Sequence, residues 1–147
     1  MVFKINVSDK TGKTYKIESE SPNLVGKELH NKIPGTDISP DFSGYKLEIT
    51  GASDKSGFTA MKEVEGIGLK KVLLSYGKAL HKKPKGEKKK GSKPAGLRMR
   101  KTVRGKVISP AIVQINLKVL EEGPKKLEEI FKKEEPIEEA KPEEKKE

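Results

Sequence analysis

The residues of this 147-residue chain best suited to chemistry are its cations, which crowd into one stretch. Between Lys78 and Lys106 there are thirteen basic residues and a single acid, Glu87. All three arginines lie in this stretch, between Arg98 and Arg104. Guanidinium and ammonium groups donate charged hydrogen bonds to phosphates, and such a one-sided run repels itself unless a polyanion neutralises it. The stretch therefore predicts binding to a nucleic-acid backbone.

Side chains alternate between two faces along the strand predicted to start at Arg98. One face carries Thr102 and a set of cations that we call the basic row, namely Arg98, Arg100, Arg104 and Lys106. The other face is largely apolar and carries Met99, Lys101, Val103, Gly105 and Val107. Same-face neighbours lie about 6.6 Å apart on a strand, a spacing of the same order as that between adjacent phosphates. Because arginine can hold one phosphate with two hydrogen bonds, the basic row is predicted to contact RNA.

A solvent-exposed strand face and a solubility linker are the alternatives for these charges. A solvent-exposed strand face would carry interspersed acids, and none occurs between Glu87 and Glu121. The preceding basic loop is predicted to thread between phosphates and to order on binding. The predicted RNA-binding residues are Lys82, Lys83, Lys85, Lys88, Lys89, Lys90, Lys93, Arg98, Arg100, Lys101, Arg104 and Lys106.

The few aromatic residues bear on how RNA would be recognised. There are four Phe, three Tyr and no Trp, and most of them fit core positions at strand spacing. No paired aromatic platform for stacking bases is visible. Recognition is therefore expected to depend on the backbone and shape of a folded RNA.

Catalytic and metal-binding groups are sparse. The chain has no Cys and two histidines, His30 and His81, and neither histidine lies in a metal-ligand pattern. Asp9 and Asp54 lie in turn sequences, where Asp bonds its own backbone. No nucleophile, base and oxyanion donor come together, so we predict no enzyme activity, no metal and no cofactor.

Composition indicates one domain with a small core. Hydrophobic residues make up 32% of the chain and charged residues 37%, with a net charge of +10. Residues 121–147 carry seven Lys and eleven Glu, so the first 120 residues hold a net +14. No stretch approaches 18 apolar residues and the N-terminus lacks a signal-peptide core. A soluble, cytoplasmic protein is expected.

Two similar strand–turn units open the chain. Residues 2–20 predict a hairpin about the turn Asp9–Gly12, followed by a short helix that begins at Ser21-Pro22. A second unit starts at Tyr45 and turns at Asp54–Gly57. The two units are either an internal duplication or two hairpins that converged on similar residues. Either case predicts a mainly β fold, a small closed β-barrel of about six strands with one or two short helices.

Further strands are predicted at Val72–Tyr76, Arg98–Ser109 and Ile112–Leu120, the last with a clear period of two. Residues 78–97 are predicted to form a long basic loop, since glycines and prolines interrupt them and apolar side chains are almost absent. We therefore predict a barrel domain over residues 1–120. Residues 121–147 are predicted to form a short helix after Gly123-Pro124 and then a disordered Glu/Lys tail.

Two motifs resemble a known family. The stretch Lys101–Gly105, followed by Ile108-Ser109-Pro110 and Ile112–Asn116, is similar to the archaeal and eukaryotic ribosomal protein S6e family. Residues 49–58 resemble the family signature Gly-Gly-x-Asp-x-x-Gly-x-Pro-Met. This chain departs from the signature at Ala52, which replaces the second Gly, and at Thr59-Ala60, which stand before Met61 in place of a single Pro.

The resemblance covers about residues 2–120 and implies a β-barrel that binds ribosomal RNA as a structural constituent of the small ribosomal subunit. It implies ribosomal RNA and neighbouring ribosomal proteins as partners, with no cofactor. The length resembles archaeal members, and the long basic helix with phosphorylated serines of eukaryotic members has no counterpart here. A free-standing RNA chaperone or translation-factor-like barrel is the alternative function.

Overall fold

The computed structural model describes residues 2–77 and 96–132. Most of the predicted basic loop and the predicted Glu/Lys tail lie outside these residues. Seven strands run β1 Phe3–Ser8, β2 Thr14–Ser19, β3 Lys32–Pro34, β4 Lys46–Asp54, β5 Leu69–Ser75, β6 Arg98–Arg104 and β7 Ile112–Glu121. They are joined by three 3-10 turns, Pro22–Leu24, Gly35–Asp37 and Pro40–Phe42, and followed by the helix α1, Leu127–Lys132.

Five strands form one sheet in the order β2-β1-β7-β4-β3. The predicted N-terminal hairpin is confirmed, because β1 and β2 pair antiparallel from Phe3↔Ser19 to Ser8↔Thr14. Its turn is stabilised by the Asp9 carboxylate, which accepts hydrogen bonds from Lys10 N and the Thr11 hydroxyl. The central strand β7 pairs parallel with β1 and antiparallel with β4.

The predicted closed barrel is wrong, although the fold is mainly β. Over residues 2–77 and 96–132 the strands form two open sheets, of five strands and of two. Strand β3 is an edge of three residues that ends at Pro34, and proline has no N–H with which to continue a ladder. Strands β5 and β6 pair with each other from Leu69↔Arg104 to Ser75↔Arg98 and form a separate ribbon.

The main core lies against one face of the five-stranded sheet. Strand β1 buries Phe3, Ile5 and Val7, the alternate residues expected of a half-buried strand. The helix predicted at Ser21-Pro22 is a single 3-10 turn, yet it still buries Leu24. Leu24 therefore enters the core although the predicted helix does not form.

The predicted C-terminal helix forms and packs on this core. In α1, Leu127 and Ile130 are buried, and the Phe131 ring stacks on Tyr15 with centroids 4.7 Å apart. The helix has six residues. The described part of the chain contains no helix long and apolar enough to cross a membrane.

A second, smaller core attaches the ribbon to the rest of the protein. Met61, Val64, Leu74 and Val103 are buried together. Backbone hydrogen bonds join the same elements, since Arg104 N donates to Thr59 O at 2.9 Å and Lys106 N donates to Val64 O at 2.7 Å. Segment 59–68 is thereby fixed along the end of β6.

Gly105 lies at the closest point of this attachment. Its N–H donates to Gly68 O at 3.1 Å, and a Cβ added there would lie 1.8 Å from Gly66 O. A backbone carbonyl cannot move away without breaking the segment's hydrogen bonds. Position 105 therefore accepts no side chain.

We expect Gly105→Ala to lower the free energy of unfolding by about 1–3 kcal/mol, the cost of overpacking. Gly68→Ala is the matched control, since an added Cβ there meets no atom within 4 Å, and its effect should stay within about 1 kcal/mol. Urea unfolding followed by circular dichroism measures both. Equal effects of the two substitutions would contradict this close packing.

Candidate nucleic-acid interface

The ribbon places the predicted arginines on one of its two faces. Residues directly opposite in an antiparallel pair share a face. The outer face of the ribbon consists of Leu69, Lys71, Leu73 and Ser75 from β5 and Arg98, Arg100, Thr102 and Arg104 from β6. The inner face turns Leu74 and Val103 toward the small core. The predicted alternation along β6 is therefore realised, with the three arginines together.

Arg104 does not have a free guanidinium. Its Nε donates to Asp54 Oδ2 at 2.9 Å, and its Nη1 lies 3.4 Å from Ile67 O. The side chains of Arg104 and Asp54 are 15% and 5% exposed. Asp54 Oδ1 also accepts the Phe58 N–H at 2.9 Å. The pair thus joins the end of β4 to the end of β6.

The environment of Asp54 shifts its titration. Burial by itself would raise the pKa of this carboxyl. The hydrogen bond from Arg104 and that from the Phe58 amide act in the opposite direction and prevail, so the pKa of Asp54 lies below its ordinary value. Asp54 is therefore the charged partner of Arg104 at neutral pH.

Lys106 is also paired with acids. Its Nζ lies 3.2 Å from Glu28 Oε2 and 3.9 Å from Glu65 Oε1. It lies two residues after the end of β6, and it is half-buried. Lys101 lies on the inner face opposite Val72 and is half-buried as well.

Arg98 and Arg100 differ from the other two members of the basic row. Both are exposed, and within residues 2–77 and 96–132 neither forms an ion pair. The basic row is therefore divided into two anchored cations, Arg104 and Lys106, and two available ones. The expectation that this strand lacks acidic partners fails at its anchored end, because folding brings in Asp54, Glu28 and Glu65.

Strand β5 supplies a cation that sequence reasoning missed. Lys71 is exposed and stands opposite Thr102, between the levels of Arg100 and Arg104. The predicted strand began at Val72, whereas β5 begins at Leu69. Residues 69–73 read Leu-Lys-Lys-Val-Leu and show no alternation of apolar and polar side chains, so the face on which Lys71 lies follows only from the pairing with β6.

The seven predicted loop lysines, Lys82, Lys83, Lys85, Lys88, Lys89, Lys90 and Lys93, lie outside the described residues. His81 does too. His30 contacts strand β4, where its Nδ1 lies 2.9 Å from Glu48 Oε1. Among residues 2–77 and 96–132 no group of three or more His, Asp or Glu side chains is placed to hold a metal ion.

Comparison with known proteins identifies the family. A model of the family described as ribosomal protein S6e matches residues 3–132. The chain belongs to this family. The resemblance found in the sequence and the prediction that the chain is not an enzyme are confirmed by this membership.

Archaeal relatives agree with the family match. A protein named small ribosomal subunit protein eS6 from Methanococcus maripaludis strain C6 is 42% identical over 125 residues, which cover 84% of this chain and 91% of the relative. One of the same name from Archaeoglobus fulgidus is 41% identical over 141 residues, 92% of this chain and 99% of the relative. Methanothermobacter thermautotrophicus has a third, 42% identical over 134 residues, with 89% and 96% covered.

The Asp54–Arg104 contact predicts a pH-dependent stability. We expect Asp54→Asn to lower the free energy of unfolding by about 1.5–3 kcal/mol at neutral pH, the range for hydrogen bonds to charged groups. Because the folded-state pKa is lowered, the carboxylate contributes fully above its unfolded value, about pH 4, and loses that contribution as pH falls through the folded value.

Urea unfolding between pH 2 and pH 7 tests this expectation. The difference in free energy of unfolding between the native protein and Asp54→Asn should be constant from about pH 5 to 7 and should decrease below about pH 4. Asp41→Asn serves as the control, since Asp41 is exposed. A gap for Asp54→Asn that does not change with pH would mean that the carboxylate charge is not what stabilises this contact.

Proposed function

We propose that the chain is a structural constituent of the small ribosomal subunit and binds ribosomal RNA through the outer face of the ribbon. Its family membership and the names of its relatives support the ribosomal part of this proposal. Neighbouring ribosomal proteins are further partners, and the place of action is the ribosome in the cytoplasm. The RNA contact rests on the charges of the ribbon.

The observation that carries the RNA contact is the availability of Arg98 and Arg100. Their exposed guanidinium groups lack acidic partners in the described part of the chain. Exposed like charges on one strand repel each other, and RNA phosphates relieve this repulsion while releasing counterions. Arg100 and Arg98 are therefore the phosphate contacts of this face, and Lys71 adds a third cation beside them.

Arg104 and Lys106 have a different role in this proposal. Their ion pairs with Asp54 and Glu28 orient the end of β6. Arg104 and Lys106 therefore fix the position of the strand and add positive electrostatic potential, more than they contact phosphates directly. Lys101 and the seven loop lysines remain predicted RNA contacts. Strands β5 and β6 contain no aromatic residue, which favours recognition of phosphates and RNA shape.

Replacing both available arginines should weaken the salt dependence of RNA binding. For Arg98→Gln/Arg100→Gln binding to a transcript of archaeal small-subunit rRNA, the slope of log affinity against log salt should become shallower by about 1.4–1.8, two phosphates at 0.7–0.9 each. The thermal midpoint should stay unchanged because both side chains are exposed. Filter binding between 50 and 300 mM salt measures the slope.

The charge-matched control is Lys16→Gln/Lys126→Gln, which replaces two exposed lysines that lie outside the ribbon and form no ion pair in the described residues. It removes the same charge from a different surface and should leave the slope near the native value. If both double variants flatten the slope equally, net charge and not the ribbon determines binding. A native slope in the arginine variant would reject the ribbon contact.

Sedimentation separates a ribosomal constituent from a free-standing RNA chaperone. The proposed protein should remain with small subunits through a high-salt wash, because it is held by many contacts inside the particle. A chaperone or transient translation factor should be washed off under the same conditions. Loss from the particles would favour that alternative.

A further inference from the structure

The outer face of the ribbon carries an apolar row beside its cations. Leu69 and Leu73 of β5 are 48% and 54% exposed. Leu73 stands directly opposite Arg100 and Leu69 directly opposite Arg104. Side chains in such pairs have Cβ atoms about 5 Å apart. Each leucine is thus the lateral neighbour of an arginine.

Leu69 and Leu73 are large apolar side chains on a solvent-facing strand face, where side chains are usually polar. Large exposed apolar side chains on such a face can belong to a contact site. Lys71 lies between the two leucines, however, so they do not form the continuous apolar centre typical of protein–protein interfaces. Instead, apolar and cationic groups alternate along β5 and across to β6.

The charge of this face limits what can cover it. Lys71, Arg98 and Arg100 give it three cations without an acidic partner in the described residues, whereas Arg104 is already bonded to Asp54. A partner must therefore offer anions and apolar surface in alternation. A nucleotide does so within one unit, since its phosphate is charged and the face of its base is apolar.

We infer that Leu73, with Leu69 as a second site, receives the base faces of unpaired nucleosides whose phosphates contact the exposed cations Arg98, Arg100 and Lys71. This inference rests on the proposed function and specifies the RNA. In a duplex the base faces are stacked and closed, whereas loops, bulges and single strands can turn a base outward. The ribbon thus binds RNA at a non-duplex segment, and leucine takes the place that aromatic residues hold in many single-strand binders.

The test compares Leu73→Thr in the full chain on two RNA probes, a 12-nucleotide oligouridine and a 12-base-pair RNA duplex. Threonine keeps the β preference and removes the apolar surface. We expect about a 3- to 10-fold weaker affinity for oligouridine, at or below the effect of losing one aromatic stack. The salt slope on oligouridine and the affinity for the duplex should stay at their native values, because no charge is removed.

Two control variants complete the experiment. Met99→Thr removes a 42% exposed apolar side chain from the inner face of the same ribbon and should leave both affinities unchanged. Leu73→Ile retains the apolar surface and should bind oligouridine as the native protein does.

Each other outcome overturns the inference. Equal losses on both probes would assign Leu73 a structural role, and native affinities on both would show that no nucleoside packs there. Native RNA binding together with loss of Leu73→Thr from sedimenting small subunits would assign the leucines to a protein neighbour. These outcomes are distinct from failure of the proposed function, which appears as a native salt slope in Arg98→Gln/Arg100→Gln.

Discussion

The contact between Asp54 and Arg104 joins two sheets that do not pair with each other by strand hydrogen bonds. Asp54 is the last residue of β4 in the five-stranded sheet, and Arg104 is the last residue of β6 in the ribbon. Both side chains are largely shielded from water, so their attraction is screened less than that of a surface pair. The backbone bonds of segment 59–68 then hold the same junction from the other side. With this end fixed, the direction in which Arg98 and Arg100 extend is fixed as well.

The cations of the basic row differ in whether acids neutralise them, according to their distance from this junction. At the attached end, Arg104 and Lys106 are compensated by Asp54, Glu28 and Glu65, three acids from distant parts of the sequence. Toward the other end, where β6 begins, Arg98 and Arg100 stay uncompensated in the described residues. Repulsion between cations is thus neutralised by acids at the half-buried end of β6. It remains at the exposed end, between Arg98 and Arg100.

Local patterns predicted local structure well. The turn residues Asp9 and Gly12 and the flanking alternation specified the first hairpin, and the period of two specified β7. Barrel closure was predicted wrongly because it depends on which distant strands meet, and the short edge at Pro34 prevents it. The arginine face was predictable from alternation alone. The ion pair of Arg104 was not predictable, since Asp54 lies fifty residues away. The apolar row of Leu69 and Leu73 was not predictable either, because its position depends on the β5–β6 register.

The parallel pairing of β1 with β7 has a consequence for biogenesis. Strand β7 lies between β1 and β4, so the N-terminal hairpin and the middle strands have no common neighbour until residues 112–121 have left the synthesising ribosome. The central ladder then closes across more than a hundred residues of chain, from Ile5 to Ile115. Such distant closure is slow. The five-stranded sheet is therefore completed only after β7 has emerged, when it pairs with β1 on one side and with β4 on the other.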